Sequence, residues 1–418
     1  MDRVAIIADD FTGASDTGVH FACGGVRTAF IFDKWSIQHA FDSCDALALS
    51  TETRYLSPQD AAEAVCEVTS LCQRAGGTFF YKKVDSALRG NPGSETDAVL
   101  QRLGIPAALI CPALPASGRS VVDGRLLVHG TPLHETALGR DAFTPVDTSS
   151  VAERFTRQSG LRAGHVGIDD LERGREYLIR KLSDLLDAGC TAVIADAVTH
   201  EHLAALTDLL LYSHAPETGL PLLLPVGSAG LGRALAEAFS APVIRKTIRP
   251  HGRLLAVVGS LNGSALEQMD FAVRNNRCAL LDFSVEGALD DPEREGEALL
   301  RAAAGADGHA LLHGRSREEK SEMTTESGMR VADAYGRLVM ALCRKLPFTT
   351  VFATGGNVAM SVARHLGLDR VMLEEELLPG VALSSCFSKN TSVRWFISKA
   401  GSFGDKEMLV SIADILNR

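Results

Sequence analysis

A chain of 418 residues that is 46% hydrophobic and 22% charged is too long for a single core and too apolar for a disordered chain, so two folded domains are expected. The formal charge of −10 argues against a broad nucleic-acid surface and requires any anion site to be local. Nine cysteines without a CxxC pair or a Cys/His metal spacing read as reduced thiols, and no apolar run is long enough for a bilayer.

The expected protein is therefore cytoplasmic, with no nucleic-acid or membrane partner; homo-oligomerisation is compatible with the sequence but not legible in it. Short apolar runs alternate with helical patterns throughout, the signature of α/β architecture in two domains, each a largely parallel sheet flanked by helices. Predicted strands of the first half fall at 4–8, 46–49, 78–81, 107–111 and 191–195. Each is followed by polar or Gly-rich residues, where open α/β sheets bind their ligands.

The first run delivers Asp9 and Asp10 to a strand end, and Phe11-Thr12-Gly13-Ala14 then opens a helix. Either two carboxylates face a ligand, or one caps the helix while the other is solvated. At another predicted strand end stands Arg54, whose planar fork suits a carboxylate. The run at 78–81 leads into Lys82-Lys83-Val84-Asp85-Ser86-Ala87-Leu88-Arg89-Gly90, which concentrates cations in an acidic protein and favours anion binding over a merely solvated face. Between residues 111 and 145 comes a long Pro/Gly-containing segment with a predicted hairpin about Asp123-Gly124, and segments of this length are often functional. The turn Gly227-Ser228-Ala229-Gly230-Leu231-Gly232 has the wrong spacing for a dinucleotide loop and most simply caps a helix packed close to its strand.

A basic, Pro-containing stretch at 244–252 separates the halves and puts the domains at 1–245 and 246–418. Strands of the second half are predicted at 254–258, 278–283, 309–313, 350–353 and 393–398. Three Gly-rich junctions follow such strands: Gly259-Ser260, Thr354-Gly355-Gly356-Asn357 and Lys399-Ala400-Gly401. Backbone N–H groups there can receive phosphate oxygens, although tight packing without a ligand is the alternative. No GxxxxGK[ST] sequence occurs, which excludes a P-loop enzyme.

Ala8 to Ala14, Lys82 to Gly90, Thr354 to Asn357 and the run from Lys399 to Asp405 together resemble the four-carbon acid sugar kinase family over nearly the whole chain. That resemblance implies a sugar acid on the N-terminal domain and ATP with Mg²⁺ on the C-terminal one, contacting Gly259, Ser260, Thr354, Gly355, Gly356, Asn357 and Gly401. It implies phosphorylation of the terminal 4-hydroxyl of D-threonate, with D-erythronate or 3-oxo-tetronate as alternatives. Ser15 to Val19 is more like the threonate and erythronate branch, whereas Asn357 stands where the family often carries Asp.

Roles follow from that chemistry. Asp10 takes the hydroxyl proton, with Asp85 or Asp9 as substitute; Arg54, Lys82 and Lys83 hold the carboxylate or hydroxyls. Asp9, Val84, Asp85 and Arg89 line the same site, Arg89 alternatively bridging within its own loop. No dedicated metal cage is legible. A nicotinamide dehydrogenase and a non-catalytic sugar-acid sensor are the rivals, and a sensor needs no base.

Overall fold

Val4-Ala5-Ile6-Ile7-Ala8 is an unbroken apolar run, and in the computed structural model it is strand β1 (Val4–Ala8), buried along its whole length. A strand covered by helices on both faces needs apolar residues at every position, not at alternate ones. The structure describes residues 2–141, 143–240, 250–260, 262–305, 308–316, 324–399 and 403–417. The chain divides into two units, Met1–Val26 with Ile37–Pro242, and Arg27–Ser36 with Val243–Arg418. Residues 241–249, which contain most of the stretch read as a domain break, lie outside the described residues.

After β1, helix α1 (Phe11–Cys23) leads to β2 (Thr28–Ile31), which pairs within the second unit. The first unit continues with β3 (Ala46–Ser50), α2 (Pro58–Arg74), β4 (Phe79–Lys83), α3 (Pro92–Leu103) and β5 (Ala107–Cys111). A ribbon of β6 (Arg119–Val122), β7 (Arg125–Val128) and β8 (Thr131–Pro132) follows, then β9 (Ala163–Val166), β10 (Ala192–Ala195), β11 (Leu223–Gly227) and α4 (Ala229–Ala238). The strand order is β3-β1-β4-β11-β5-β10-β9, and every neighbouring pair is parallel.

This order has a physical consequence. From β1 the chain reaches β3 on one side and then β4 on the other, so the winding direction reverses between β1 and β4. The crevice outside the carboxyl ends of two such strands is where doubly wound sheets hold ligands. Both unit-specific charged clusters read from the sequence, Asp9-Asp10 and Lys83-Val84-Asp85, leave β1 and β4 there.

Strand β11 escapes a sequence reading because Pro225 lies inside it, and proline is normally confined to edges. Its ladder to β4 begins only at Val226, so the missing N–H interrupts no bond on that side. Helix α4 starts with Ser228 as N-cap, its hydroxyl accepting from the Gly230 N–H. A methyl group on Gly232 would sit 2.5 Å from Thr17 Cγ2, and one on Gly230 2.4 Å from the Ala113 carbonyl oxygen. The Gly-rich turn is thus a close-packing device, as its spacing implied.

The Asp123-Gly124 turn joins β6 to β7 with φ of +50° and +67°, the left-handed pair a two-residue hairpin requires. The Asp196 carboxylate accepts from the N–H groups of Asp123 at 2.8 Å and Gly124 at 2.9 Å and pins the ribbon to the sheet.

The second unit contains β12 (Arg253–Val258), α5 (Gly263–Arg274), β13 (Ala279–Ser284), β14 (Ala310–Arg315), β15 (Phe348–Thr354), α6 (Gly356–His365), β16 (Arg370–Leu378), β17 (Val381–Ser385) and β18 (Trp395–Lys399). Pairing is parallel through β13-β14-β12-β15-β18 and antiparallel through β18-β17-β16-β2. The antiparallel flank stands beside the parallel strands of a sheet expected to be largely parallel. It arises from the tight turn at Gly380, with φ of +75°, that folds β16 back on β17. A core around Leu254, Ala256, Leu311, Phe352, Leu383 and Ile397 binds this sheet to its helices.

Candidate active site

Ala8 and Lys83 are register partners, so the residues that follow them emerge side by side. Asp10 caps α1: its Oδ1 accepts from the Gly13 N–H at 2.9 Å and its Oδ2 from the Thr12 hydroxyl at 2.6 Å. It is both a cap and a partly exposed carboxylate, with 18% of its side chain exposed against 3% for Asp9. Asp9 spends both oxygens on Arg54, accepting from Nε at 2.8 Å and Nη2 at 3.1 Å.

Arg54 is thereby anchored inside the protein. Its Nη1 donates to Asp10 Oδ2 at 2.8 Å, and Nη2 also lies 3.7 Å from Asp85 Oδ1. Burial acts against its charge, but Asp10, Asp9 and Asp85 together hold its pKa well above the ordinary arginine value. For Asp10, burial pushes upward and is outweighed by Arg54, Lys83 and the Thr12 hydroxyl, so the carboxyl stays below the usual range. Asp10 is an anion at neutral pH.

The two lysines of β4 diverge, as neighbours on a strand must. Lys83 Nζ donates to the Val84 carbonyl at 2.9 Å and acts electrostatically on Asp10 and Asp85. Lys82 points into the protein, its side chain fully shielded from solvent, with Nζ 2.7 Å from Glu95 Oε2 on α3. It also donates to the carbonyls of Lys83 at 2.9 Å and Ile7 at 3.3 Å. The expectation that Lys82 holds substrate therefore gives way to a supporting role: it ties β4 to β1 and α3.

Asp85 is committed as well. It accepts from Arg89 Nε at 2.8 Å and Nη2 at 3.0 Å and from the Ala87 N–H at 3.1 Å. Burial raises its pKa, but Arg89 and Arg54 lower it further, leaving it well below the ordinary carboxylate range. Arg89 also reaches Asp141 at 3.2 Å, so it closes its own loop and clasps the segment after the ribbon. Val84 is buried, and its N–H donates to the Gly227 carbonyl at 2.8 Å. Asp10 and Lys83 approach each other across Gly13. A Cβ there would lie 2.6 Å from Asp10 Oδ1 and 2.8 Å from Lys83 Nζ.

Sequence reasoning missed Glu95, Asp141 and Arg119. Glu95 sits in the first turn of α3 just after Pro92, where a Glu reads as an ordinary N-terminal helix residue. Arg119 lies in the long Pro/Gly-containing segment singled out as functional, but no local pattern distinguishes it from other surface arginines.

In the second unit Val258 and Thr354 are register partners, so β12 and β15 end together. The Gly259 N–H donates to the Thr354 carbonyl at 3.2 Å. Gly355 has φ of +96°, and a Cβ on it would come within 3.2 Å of the Ser260 nitrogen. Two strand-to-helix turns thus meet backbone to backbone, leaving α6 to begin with Gly356 and the exposed Asn357. Thr354 is buried, with a hydroxyl that has no partner among the described residues. Beside it in the sheet stands Lys399, whose Nζ donates to the Phe403 carbonyl at 3.0 Å and whose pKa burial pushes down to about 8. Gly401 lies outside the described residues. Glycines, helix N–H groups and a buried ammonium fit a polyphosphate.

All nine cysteines are free thiols, and among the described residues no helix is long and apolar enough to cross a membrane. Residues 4–235 match the family model described as a sugar-binding N-terminal domain, and 255–409 match a nucleotide-binding C-terminal domain. The chain is 30% identical to the D-threonate kinase of Salmonella typhimurium, over 97% of this chain and 96% of that protein. It is 29% identical to the D-erythronate kinase of Heliobacterium modesticaldum, over 100% and 97%. A crystal structure of a Salmonella typhimurium LT2 protein shares the fold with a TM-score of 0.81 at 24% identity, covering 98% of each chain.

Proposed function

Because the chain belongs to the four-carbon acid sugar kinase family, we propose that it transfers the γ-phosphoryl group of ATP to the terminal hydroxyl of a four-carbon sugar acid. D-threonate is the first choice, and D-erythronate and 3-oxo-tetronate are the alternatives. The observation that carries this reading is the Asp10–Lys83 pair at the point where the first sheet reverses its winding. It offers one anion to a hydroxyl proton and one cation to the charge that develops beside it.

The sugar acid belongs to the first unit and the nucleotide to the second, in the notch of Gly259, Ser260, Thr354, Gly355, Gly356 and Asn357. Asp10 Oδ1 accepts the proton of the 4-hydroxyl. A carboxylate with a depressed pKa is a weak base, which suffices where phosphoryl transfer has a loose transition state and the work is mainly positioning. Lys83 steadies the same oxygen, while Asp9, Arg54, Asp85 and Arg89 hold Asp10 and its loop in place. Mg²⁺ accompanies ATP and supplies charge neutralisation at the phosphates. Asp9, Asp10 and Asp85 are each engaged by a guanidinium, and Asp10, the most exposed of the three, is the one that would be available to such a metal. A cytoplasmic setting fits the free thiols.

The reading is tested by ADP release with ATP and Mg²⁺ against D-threonate, L-threonate, D-erythronate and 3-oxo-tetronate. Turnover of one acid supports it, and absence of turnover with all four rejects it.

Two substitutions test the halves separately. Gly13→Ala pushes a methyl between Asp10 and Lys83 and is expected to lower kcat about 100-fold, the cost of misplacing reacting groups by roughly 1 Å. Its Tm should hold, since Ala favours the helix by about 1 kcal/mol over Gly. Gly355→Ala strains a left-handed backbone at the nucleotide notch by about 1–2 kcal/mol. The expected result is a KM for ATP raised about 10-fold with the KM for the acid unchanged, read from initial rates with each substrate varied.

A further inference from the structure

A sugar acid has to place its carboxylate against a cation that no protein carboxylate already neutralises, and most cations around Asp10 are paired with one. Arg54 is paired with Asp9 and Asp10, Arg89 with Asp85 and Asp141, and Lys82 with Glu95. Lys83 donates to the Val84 carbonyl and acts electrostatically on Asp10, beside which the proposed mechanism employs it.

Arg119, the first residue of β6, differs from all of these. Its Nη1 donates to the Ser86 hydroxyl at 2.5 Å, next to Asp85 in the loop that carries the site. Its Nε is buried with no acceptor, and among the described residues no carboxylate pairs with it. Nε and Nη2 form the side of the guanidinium that grips a carboxylate with two parallel bonds. The groups that act on it electrostatically are Asp85, Arg89 and Asp16, which with the Ser86 bond puts it beside the loop that follows β4. Burial lowers its pKa more than those carboxylates raise it, as expected of a cation whose neutralising anion has yet to arrive.

Resting on the kinase reading above, we infer that Arg119 is the residue that receives the carboxylate of the substrate acid, and that it selects four-carbon acids over the corresponding uncharged tetritols. Ser86 fixes the outer nitrogen and leaves the Nε–Nη2 edge for the ligand. Since Nε is shielded, the guanidinium turns slightly toward the acid on binding. The geometry gives Arg54, the residue first expected in this role, the different task of holding Asp9 and Asp10.

The test compares wild type, Arg119→Gln and Arg119→Lys by initial rates with D-threonate and with threitol, and by calorimetric titration with D-threonate, which reads binding whether or not turnover occurs. Loss of a bidentate charge-assisted contact predicts acid binding weakened about 10–100-fold in Arg119→Gln, with the KM for ATP unchanged. The preference for threonate over threitol falls by the same factor. Arg119→Lys keeps the charge but loses the fork and lies between. Acid binding and preference equal to wild type in either variant overturn the assignment, as does an equal loss for threonate and threitol, which marks a structural role. A wild type that binds threonate tightly but never turns it over defeats the kinase reading alone. A wild type that turns it over with no effect of Arg119 defeats this inference alone.

Discussion

Asp10→Asn is expected to lower kcat by about 10²–10⁴-fold while leaving the KM for ATP within a factor of two or so, the range for loss of a general base. The substitution separates chemistry from structure. Asn caps a helix about as well as Asp, so the bond from the Gly13 N–H and the start of α1 survive. Arg54 keeps both bonds to Asp9. What disappears is the anion in front of Lys83. A variant with near-normal kcat removes Asp10 from the base role. The spare carboxylates could not then easily replace it, since Asp9 and Asp85 are bound by arginines on both oxygens.

The pH profile adds a signed check. Arg54 and Lys83 outweigh burial and hold Asp10 below the ordinary carboxylate range, so the anion persists as pH falls through about 4. The acid limb of kcat/KM due to this group therefore lies below that value, and activity is lost only as pH drops through the depressed pKa. The same sign governs stability. Asp10 and Asp85, both depressed, contribute stability above the unfolded carboxylate pKa and lose it in acid. The Asn variant should lack the Asp10 share of that loss, measured as the further fall in Tm on going from about pH 5 to about pH 2, the interval below the unfolded carboxylate pKa.

Much of this site was legible because its residues follow strand ends, and strand ends are what apolar runs reveal. Asp9-Asp10 and the 82–90 segment were found that way, and β1 and β4 do end there. The direction of a side chain was not legible. The run at 78–81 continues to Lys83, which puts both lysines inside a strand and on opposite faces; one reaches Asp10 and the other Glu95. Pairing across 45 residues, as between Asp9 and Arg54, leaves no trace in one sequence. Strands β9 and β16 escaped for a different reason. Ala163–Val166 holds a Gly and a His, and Arg370–Leu378 carries three consecutive Glu, so neither reads as an apolar run.

The Lys82–Glu95 pair carries the largest expected effect on stability. Lys82→Met should cost about 3–5 kcal/mol, because removing one partner leaves the other buried without its counter-charge. Burial already raises the Glu95 pKa, and Lys82 is the chief influence that pulls it back. Without Lys82 the carboxyl escapes the penalty by taking a proton, and a raised folded pKa stabilises below the unfolded value and is lost as pH rises. The Tm deficit of Lys82→Met relative to wild type should accordingly grow from pH 5 to pH 8. Replacing both residues by methionine removes the stranded charge and should recover most of the loss, since apolar substitutes for a buried pair are often neutral or better. Activity need not recover with it. Lys82 also donates to the Ile7 and Lys83 carbonyls at 3.3 and 2.9 Å, on the two strands that deliver Asp10 and Lys83. A double variant that is stable but slow assigns Lys82 to positioning, whereas one that is stable and fully active limits it to the core. A single variant as stable as wild type at pH 8 contradicts the buried pair itself.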